Sequence, residues 1–352
     1  MLSLIEGKRR MKRYNVAIVG ASGAVGEEIL RVFEEIDFPF AKIVPMASAR
    51  SAGSTVTFNN QDLVIKELTP TVFTEENIEI ALFSAGGSVS AEFAPYAAAA
   101  GAVVIDNTSH FRMMEDVPLV VPEVNPEDIA QWKNCGIIAN PNCSTIQMVQ
   151  ALKPLDDAYD LLRIDVSTYQ ATSGAGKSAM EELVEQMQAF FAFKLDDVQP
   201  KKFAHRIALN AIPQIDSFTD TGYTKEELKM VNETQKIMHK DIEVSATCVR
   251  IPTLRGHAET LTLTFDSDVD ADEARDLLSK APNIIVLDEP SESIYPMPSL
   301  SLEQNETFVG RIRKDLYRDN VLHLWVVADN LRVGAATNAV RIAQKWVEMQ
   351  GE

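Results

Sequence analysis

The sequence predicts an α/β protein of two parts, a parallel sheet flanked by helices followed by a more open sheet with one wetter face. Three observations carry this. Up to about residue 140, short apolar runs ending in small or polar residues alternate with helix-like segments, as parallel strands inside an α/β sheet do. From about residue 160 the runs lengthen, and Thr and charged residues alternate with apolar ones, the pattern of a one-sided sheet. A chain of 352 residues that is 46% hydrophobic can also bury two cores, at roughly 150 residues per domain.

The elements follow in order. "YNVAIVG" is a strand, and "AVGEEILRVFEEI" is a helix with Val25, Ile29, Val32, Phe33 and Ile36 at helical spacing. "AKIVPMAS", "IEIALFSAG", "AVVIDN" and "GIIAN" supply further buried strands. Between them "AEFAPYAAAAGAVVI" is broken by Glu92 and Pro95 and falls short of a bilayer span. In "GIIANPNCSTIQMV", Pro141 cannot continue a ladder, and Ile146, Val149 and Leu152 sit at helical spacing. Cys143 therefore falls at or just before a first helical turn. "LLRIDVSTYQAT", "EVSATCVRIP" and "HAETLTLTFDS" build the second sheet. After "SGAGKS", the stripe Met180, Leu183, Val184, Met187 and Phe190 reads as core or subunit interface. The final "GAATNAVRIAQKWVEM" is a helix with Ala336, Val340, Ala343 and Val347 on one face, expected to return to the first domain.

Charge narrows the function. With 51 acidic against 33 basic side chains the formal charge is -18, and without a long basic run nucleic acid is not an expected partner. Three cysteines, Cys135, Cys143 and Cys248, fit neither a disulfide framework nor a zinc site, so a reducing cytoplasmic setting is expected. The apolar start "MLSLI" is too short for a signal-peptide core, and Met11 offers a second start. No membrane association is expected.

Two motifs carry chemistry. Gly20, Gly23 and Gly26 in "GASGAVG" lie between a strand and a helix, where a turn free of Cβ atoms lets backbone N–H groups approach a pyrophosphate. This predicts a Rossmann-type dinucleotide-binding domain. At the end of the second strand, where an acidic residue would hold ribose hydroxyls, Ser48, Arg50 and Ser51 suit a 2′-phosphate, so NADP is expected. "SGAGKS" is not a P-loop, because position 171 is alanine where a glycine is needed; Ser173 and Gly174 would instead let a flat ring approach. The second motif is Cys143, whose place at a helix N-terminus would stabilise a thiolate and hold an oxyanion. Of the five histidines, His257 ends a short connection between two strands, with Arg250 on its far side. Such a pair could move a proton and bind an anion.

Together "GASGAVG", "DNTSHFRM", "PNCSTIQM", "STYQATSGAG", "ALNAIPQID", "RIPTLRGHAE" and "FVGRIRKD...LHLWVVADNLRVGAA" resemble, in order from about residue 14 to 350, the aspartate-β-semialdehyde dehydrogenase family. The resemblance implies a dinucleotide-binding domain of residues 12–140 plus 330–352. It also implies an α+β catalytic and dimerisation domain with a mixed sheet over 141–329, assembled as a homodimer. The implied reaction is NADPH-dependent reduction of L-aspartyl 4-phosphate to the semialdehyde and phosphate. It belongs to the pathway to lysine, methionine and threonine. By position, Cys143 resembles the nucleophile, His257 the acid/base and Gln170 the residue that orients the thioester. Arg250 resembles the clamp on the substrate carboxylate, and Arg112 and Lys229 the phosphate pair, with Glu226 steering the lysine and Asn142 beside the substrate. Gly20, Ser22, Gly23, Ala24, Val25, Arg50, Ser51, Ser173, Gly174 and Asn330 match the cofactor positions, and no metal is implied. His110 and the "TLR" before Gly256 depart from the family pattern. Another acyl-phosphate reductase, acting on N-acetylglutamyl phosphate, is the nearest alternative, and a dinucleotide-sensing scaffold is a second.

Overall fold

A computed structural model describes residues 12–351. The N-terminal stretch read above against a signal peptide, with Met11, lies outside them. The chain runs β1 (Tyr14–Val19), α1 (Ala24–Glu35), β2 (Phe40–Ala47), β3 (Thr55–Phe58), β4 (Gln61–Val64), β5 (Lys66–Glu67), α2 (Val72–Glu75), β6 (Ile80–Phe83), α3 (Gly87–Ala99), β7 (Val103–Asp106) and β8 (Ile137–Ala139). It continues α4 (Cys143–Tyr159), β9 (Leu161–Gln170), α5 (Lys177–Phe191), α6 (Lys225–Met238), β10 (Glu243–Arg250), β11 (His257–Phe265), α7 (Ala271–Lys280), β12 (Ile284–Val286), α8 (Pro298–Ser301), β13 (Thr307–Lys314), β14 (Val321–Ala328) and α9 (Asn338–Gly351).

The first sheet has the order β5-β2-β1-β6-β7-β8, and every pairing in it is parallel. Because helices cover both faces, its central strands β1, β6 and β7 are largely apolar. Val16 and Ile18 pack towards α1 and α9, while Ala17 and Val19 face the core that takes in α3. The C-terminal helix returns as expected: Ala336, Val340 and Ala343 join that first core, and Trp346 meets Tyr14 and Trp132 edge-on. The β3–β4 hairpin was not legible in the sequence pattern; only Phe58 of its residues is buried.

The second sheet, β10-β9-β11-β14-β13-β12, is mixed. β9–β10 and β12–β13 are parallel, whereas β9–β11, β11–β14 and β13–β14 are antiparallel. One face carries Leu261, Leu263 and Phe265 against α4, α6 and α7. His257 and Glu259 share that face by the two-residue period of the strand, so the polar end of β11 is drawn beneath the start of α4. The opposite face holds a small cluster of Ala258, Phe308 and Val327, with Tyr169, Ile285, Leu287 and Trp325 partly covered against it. The α5 stripe divides: Leu183 is buried in a small core with Ile207, Ala208 and Ile212, and Met187 packs on it, whereas Val184 and Phe190 are exposed, beside Phe191 and Phe193. Among the described residues no helix is long and apolar enough to cross a membrane, and no cluster of acidic, histidine or cysteine side chains could hold a metal ion.

Candidate active site

The two sheets meet at the carboxyl ends of their strands, the edge where open α/β sheets bind ligands. Between them lies a cavity of about 510 Å³. Asn107 follows β7, Cys143 follows β8, Gln170 ends β9, Arg250 ends β10 and Asn330 follows β14, and all five reach its wall. Residues separated by more than two hundred positions are thus gathered by strand order alone.

Cys143 begins α4, as the spacing predicts. Asn142 is the N-cap, and its Oδ1 accepts from the N–H groups of Ser144 (3.0 Å) and Thr145 (3.3 Å). Its Nδ2 donates to Glu226 at 2.8 Å, and its backbone N–H to Glu233 at 2.6 Å. The segment 332–337 presses on Cys143 from the other side: a Cβ on Gly334 would lie 3.0 Å from the Cys143 Cα, so no other residue fits there. The surroundings of Cys143 run against the expected ionised thiol. Burial and the Glu226 carboxylate push the Cys143 thiol up to about 12, outweighing Arg250, Arg112 and the Ser144 N–H. The side chain is half-buried against the cavity, and withdrawal from water matters more than the helix dipole.

His257 is fully buried and does not reach the cavity wall. Its Nδ1 accepts from the Ala171 N–H at 3.1 Å, which fixes the neutral tautomer with hydrogen on Nε2. Nε2 has no partner, and a Cβ on Gly174 would stand 3.1 Å from it. The glycine therefore leaves the imidazole a window towards the cavity. Burial, then the Arg250 charge, holds the ring well below the ordinary histidine pKa. Burial thus favours the uncharged ring, whose Nε2 hydrogen lies at that window.

The cations are pre-paired. Arg112 donates to Glu233 at 2.9 Å and to the carbonyls of Asn140 and Asn107, both at 2.9 Å. Lys229 bridges Glu226 (3.0 Å) and Asp216 (3.2 Å); burial works against its charge, but the two carboxylates outweigh it and raise its pKa. Arg250 donates through Nη1 to the Ala171 carbonyl at 2.6 Å. Gln170 donates to Glu226 at 3.2 Å, so Glu226 ties the N-cap, the glutamine and the lysine together. Glu233 was missed by the sequence reading, although Glu226, Lys229 and Glu233 fall at i, i+3 and i+7 on one helix face.

For a dinucleotide, Gly20 has φ +90°, and its Cβ would lie 2.9 Å from the Ala85 nitrogen of the neighbouring strand's loop. Gly23 caps α1 without a side-chain partner, leaving first-turn N–H groups open near Ser22 and Ala24. Val25, Ser173, Gly174, Asn330 and Leu331 continue the path to the cavity wall, with Ser173 and Asn330 hydrogen-bonded to each other. The residues fit such a cofactor. Arg50 and Ser51 stand apart from this cavity, on the turn after β2, the strand next to β1, and Arg50 is exposed.

Comparison with known proteins agrees with this geometry. A family model described as semialdehyde dehydrogenase, NAD binding domain, matches residues 15–132, and a second, semialdehyde dehydrogenase, dimerisation domain, matches 152–333. An aspartate-semialdehyde dehydrogenase of Campylobacter jejuni is 63% identical over 341 residues, covering 97% of this chain and 99% of the relative. The chain belongs to the aspartate-semialdehyde dehydrogenase family. The family's enzyme of Aquifex aeolicus is 53% identical, covering 95% of this chain and 98% of the other. A solved structure of aspartate semialdehyde dehydrogenase II from Vibrio cholerae, complexed with ASA, superposes with a TM-score of 0.91 at 47% identity, over 96% of this chain and 99% of that one. The Candida albicans member, solved with NADP, gives 0.75 at 26% identity, over 96% and 99%. The protein is therefore an oxidoreductase of the aspartate-semialdehyde type, with a Rossmann-like nicotinamide-dinucleotide domain.

Proposed function

We propose that the protein reduces L-aspartyl 4-phosphate to L-aspartate 4-semialdehyde with NADPH, through an acyl-thioester on Cys143. The observation that supports this most directly is the position of Cys143, at a helix N-terminus on the floor of a cavity lined by Arg112, Lys229, Arg250 and Gln170. The Cys143 sulfur attacks the acyl carbon, the C–O bond to phosphate breaks, and the thiol proton leaves with the phosphate. Arg112 and Lys229 hold the departing anion, while Arg250, whose guanidinium is only partly engaged by Ala171, takes the substrate carboxylate. A dinucleotide bound along the glycine turn would supply a hydride to the thioester carbon; the resulting oxyanion collapses, the C–S bond breaks to release the aldehyde, and the Cys143 sulfur regains a proton. His257 donates its Nε2 hydrogen bond to the oxygen that gains charge, and the first-turn N–H groups of α4 assist. Gln170 orients the thioester.

Domain boundaries of 12–140 plus 330–352 for the dinucleotide part and 141–329 for catalysis and dimerisation fit the two sheets. A homodimer would cover the exposed Val184, Phe190 and Phe191 of α5. The test is phosphate-dependent reduction of NADP, compared with NAD, by aspartate semialdehyde. Absence of turnover in folded, reduced protein removes the proposal. The relatives named above, each an aspartate-semialdehyde dehydrogenase, speak against N-acetylglutamyl phosphate as the substrate.

A further inference from the structure

Four charged side chains that no step above uses form a buried knot between the two halves of the molecule. Glu28, on α1, and Asp329, after β14, are 1% and 0% exposed. Arg255 lies between them: its Nε is 2.7 Å from an Asp329 oxygen, and its Nη2 is 3.1 Å from Glu28 Oε1. Arg332 reaches the same Glu28 oxygen at 2.7 Å and also grips Glu35. Charges this deep are costly unless paired, so their arrangement constrains the elements that bear them.

Those elements are functional. Glu28 stands one turn beyond the glycine turn. Arg255 is two residues before His257, and the intervening Gly256 N–H donates to Asn330 at 3.0 Å. Arg332 is two residues before Gly334, which packs on Cys143. The Arg255–Glu28 contact is close enough to attract, yet Arg255 Nη2 makes no hydrogen bond. A small shift of α1 would complete it.

We infer that Arg255 and Glu28 are positioning residues: their ion pair registers the dinucleotide-binding helix against the loop that carries His257, so that cofactor docking and placement of the imidazole occur together. The inference rests on the reading above only for its kinetic consequence. The coupling travels through a shared ion pair and not through a chain of distant contacts.

The experiment is hydrogen exchange of the whole chain with and without NADP, on wild type and Arg255→Met. In that variant Glu28 keeps Arg332 and Arg31, and Asp329 keeps the N–H groups of Leu331 and Glu303. NADP should slow exchange in α1 of both proteins but in residues 252–257 of wild type alone. Turnover of the variant should fall at least tenfold with KM for NADP within threefold. Glu28→Gln cuts the same link from the other side and should behave alike, and the double variant should be no worse than either single one. Equal protection of 252–257 in wild type and variants, or no response there in wild type, overturns the inference. Wild type that shows the loop response but no turnover removes the dehydrogenase reading alone.

Discussion

At the scale of single residues, burial disfavours charge on two side chains of the site, Cys143 and His257. With its thiol pushed up to about 12, Cys143 in the free protein should react with iodoacetamide at a rate rising about tenfold per pH unit from pH 7 to 10, without a plateau. A plateau near neutrality would show a thiolate already formed. Cys143→Ala should abolish turnover, by ~10³-fold or more, while NADP binding measured by titration is retained. For His257 the sign runs the other way. Its pKa is depressed in the fold, so stability is present above the unfolded value near 6.5 and is lost as pH falls below it, by about 1.4 kcal/mol per pH unit. Urea unfolding of wild type and His257→Asn between pH 7 and 5 should show this slope in wild type and its reduction in the variant. On the turn after β2, Arg50→Ala should weaken NADP by about 10- to 100-fold with little effect on NAD, as loss of a charge-assisted contact to a phosphate requires. Equal losses would show that Arg50 does not read that group.

At the scale of elements, β11 and α4 carry the tension between function and stability. Glu259 lies beside Ser144 and Gln147, yet neither carboxylate oxygen completes a hydrogen bond. Burial holds its carboxyl well above the ordinary range, against the pull of Gln147 and Ser144. A raised pKa contributes stability below the unfolded value near 4.3 and loses it as pH rises. Glu259→Gln should therefore raise Tm at pH 8 more than at pH 5, by calorimetry. The start of α4 is fixed in the opposite manner, by a cap whose every polar atom is engaged. Asn142→Ala should cost about 1–2 kcal/mol in urea unfolding and lower turnover as well, because it also releases Glu226.

At the scale of the whole molecule, Cys143 stands at the start of α4, which packs on the second sheet, and meets Gly334 in the segment that leads back to the first. The parallel sheet is finished only when α9 returns, and Trp346 anchors that return between Tyr14 and Trp132. Cutting the last helix should thus unfold the cofactor half and displace Gly334 from Cys143 together. The exposed aromatic end of α5 and the thinly covered face of the second sheet leave apolar surface that a second subunit would remove from water.

Local pattern was enough to establish the buried strands of the first sheet and β9, β10 and β11 of the second, but not the β3–β4 hairpin, and to mark the glycine turn and Cys143 as candidate positions. Strands such as β1 and β6, buried on both faces, announce themselves by unbroken apolar runs, and the glycine turn and the start of α4 follow from residues adjacent in the chain. The pattern of α6 was visible too, but a carboxylate at helical spacing does not say what it will meet, so the pairing of Glu233 with Arg112, 121 positions away, was not. Protonation was misread for the same reason. A helix N-terminus is a local feature that favours a thiolate, whereas the burial that overrides it comes from Gly334 and from the second sheet closing above. Electrostatics and desolvation depend on distance through space, and only the packed chain sets those distances.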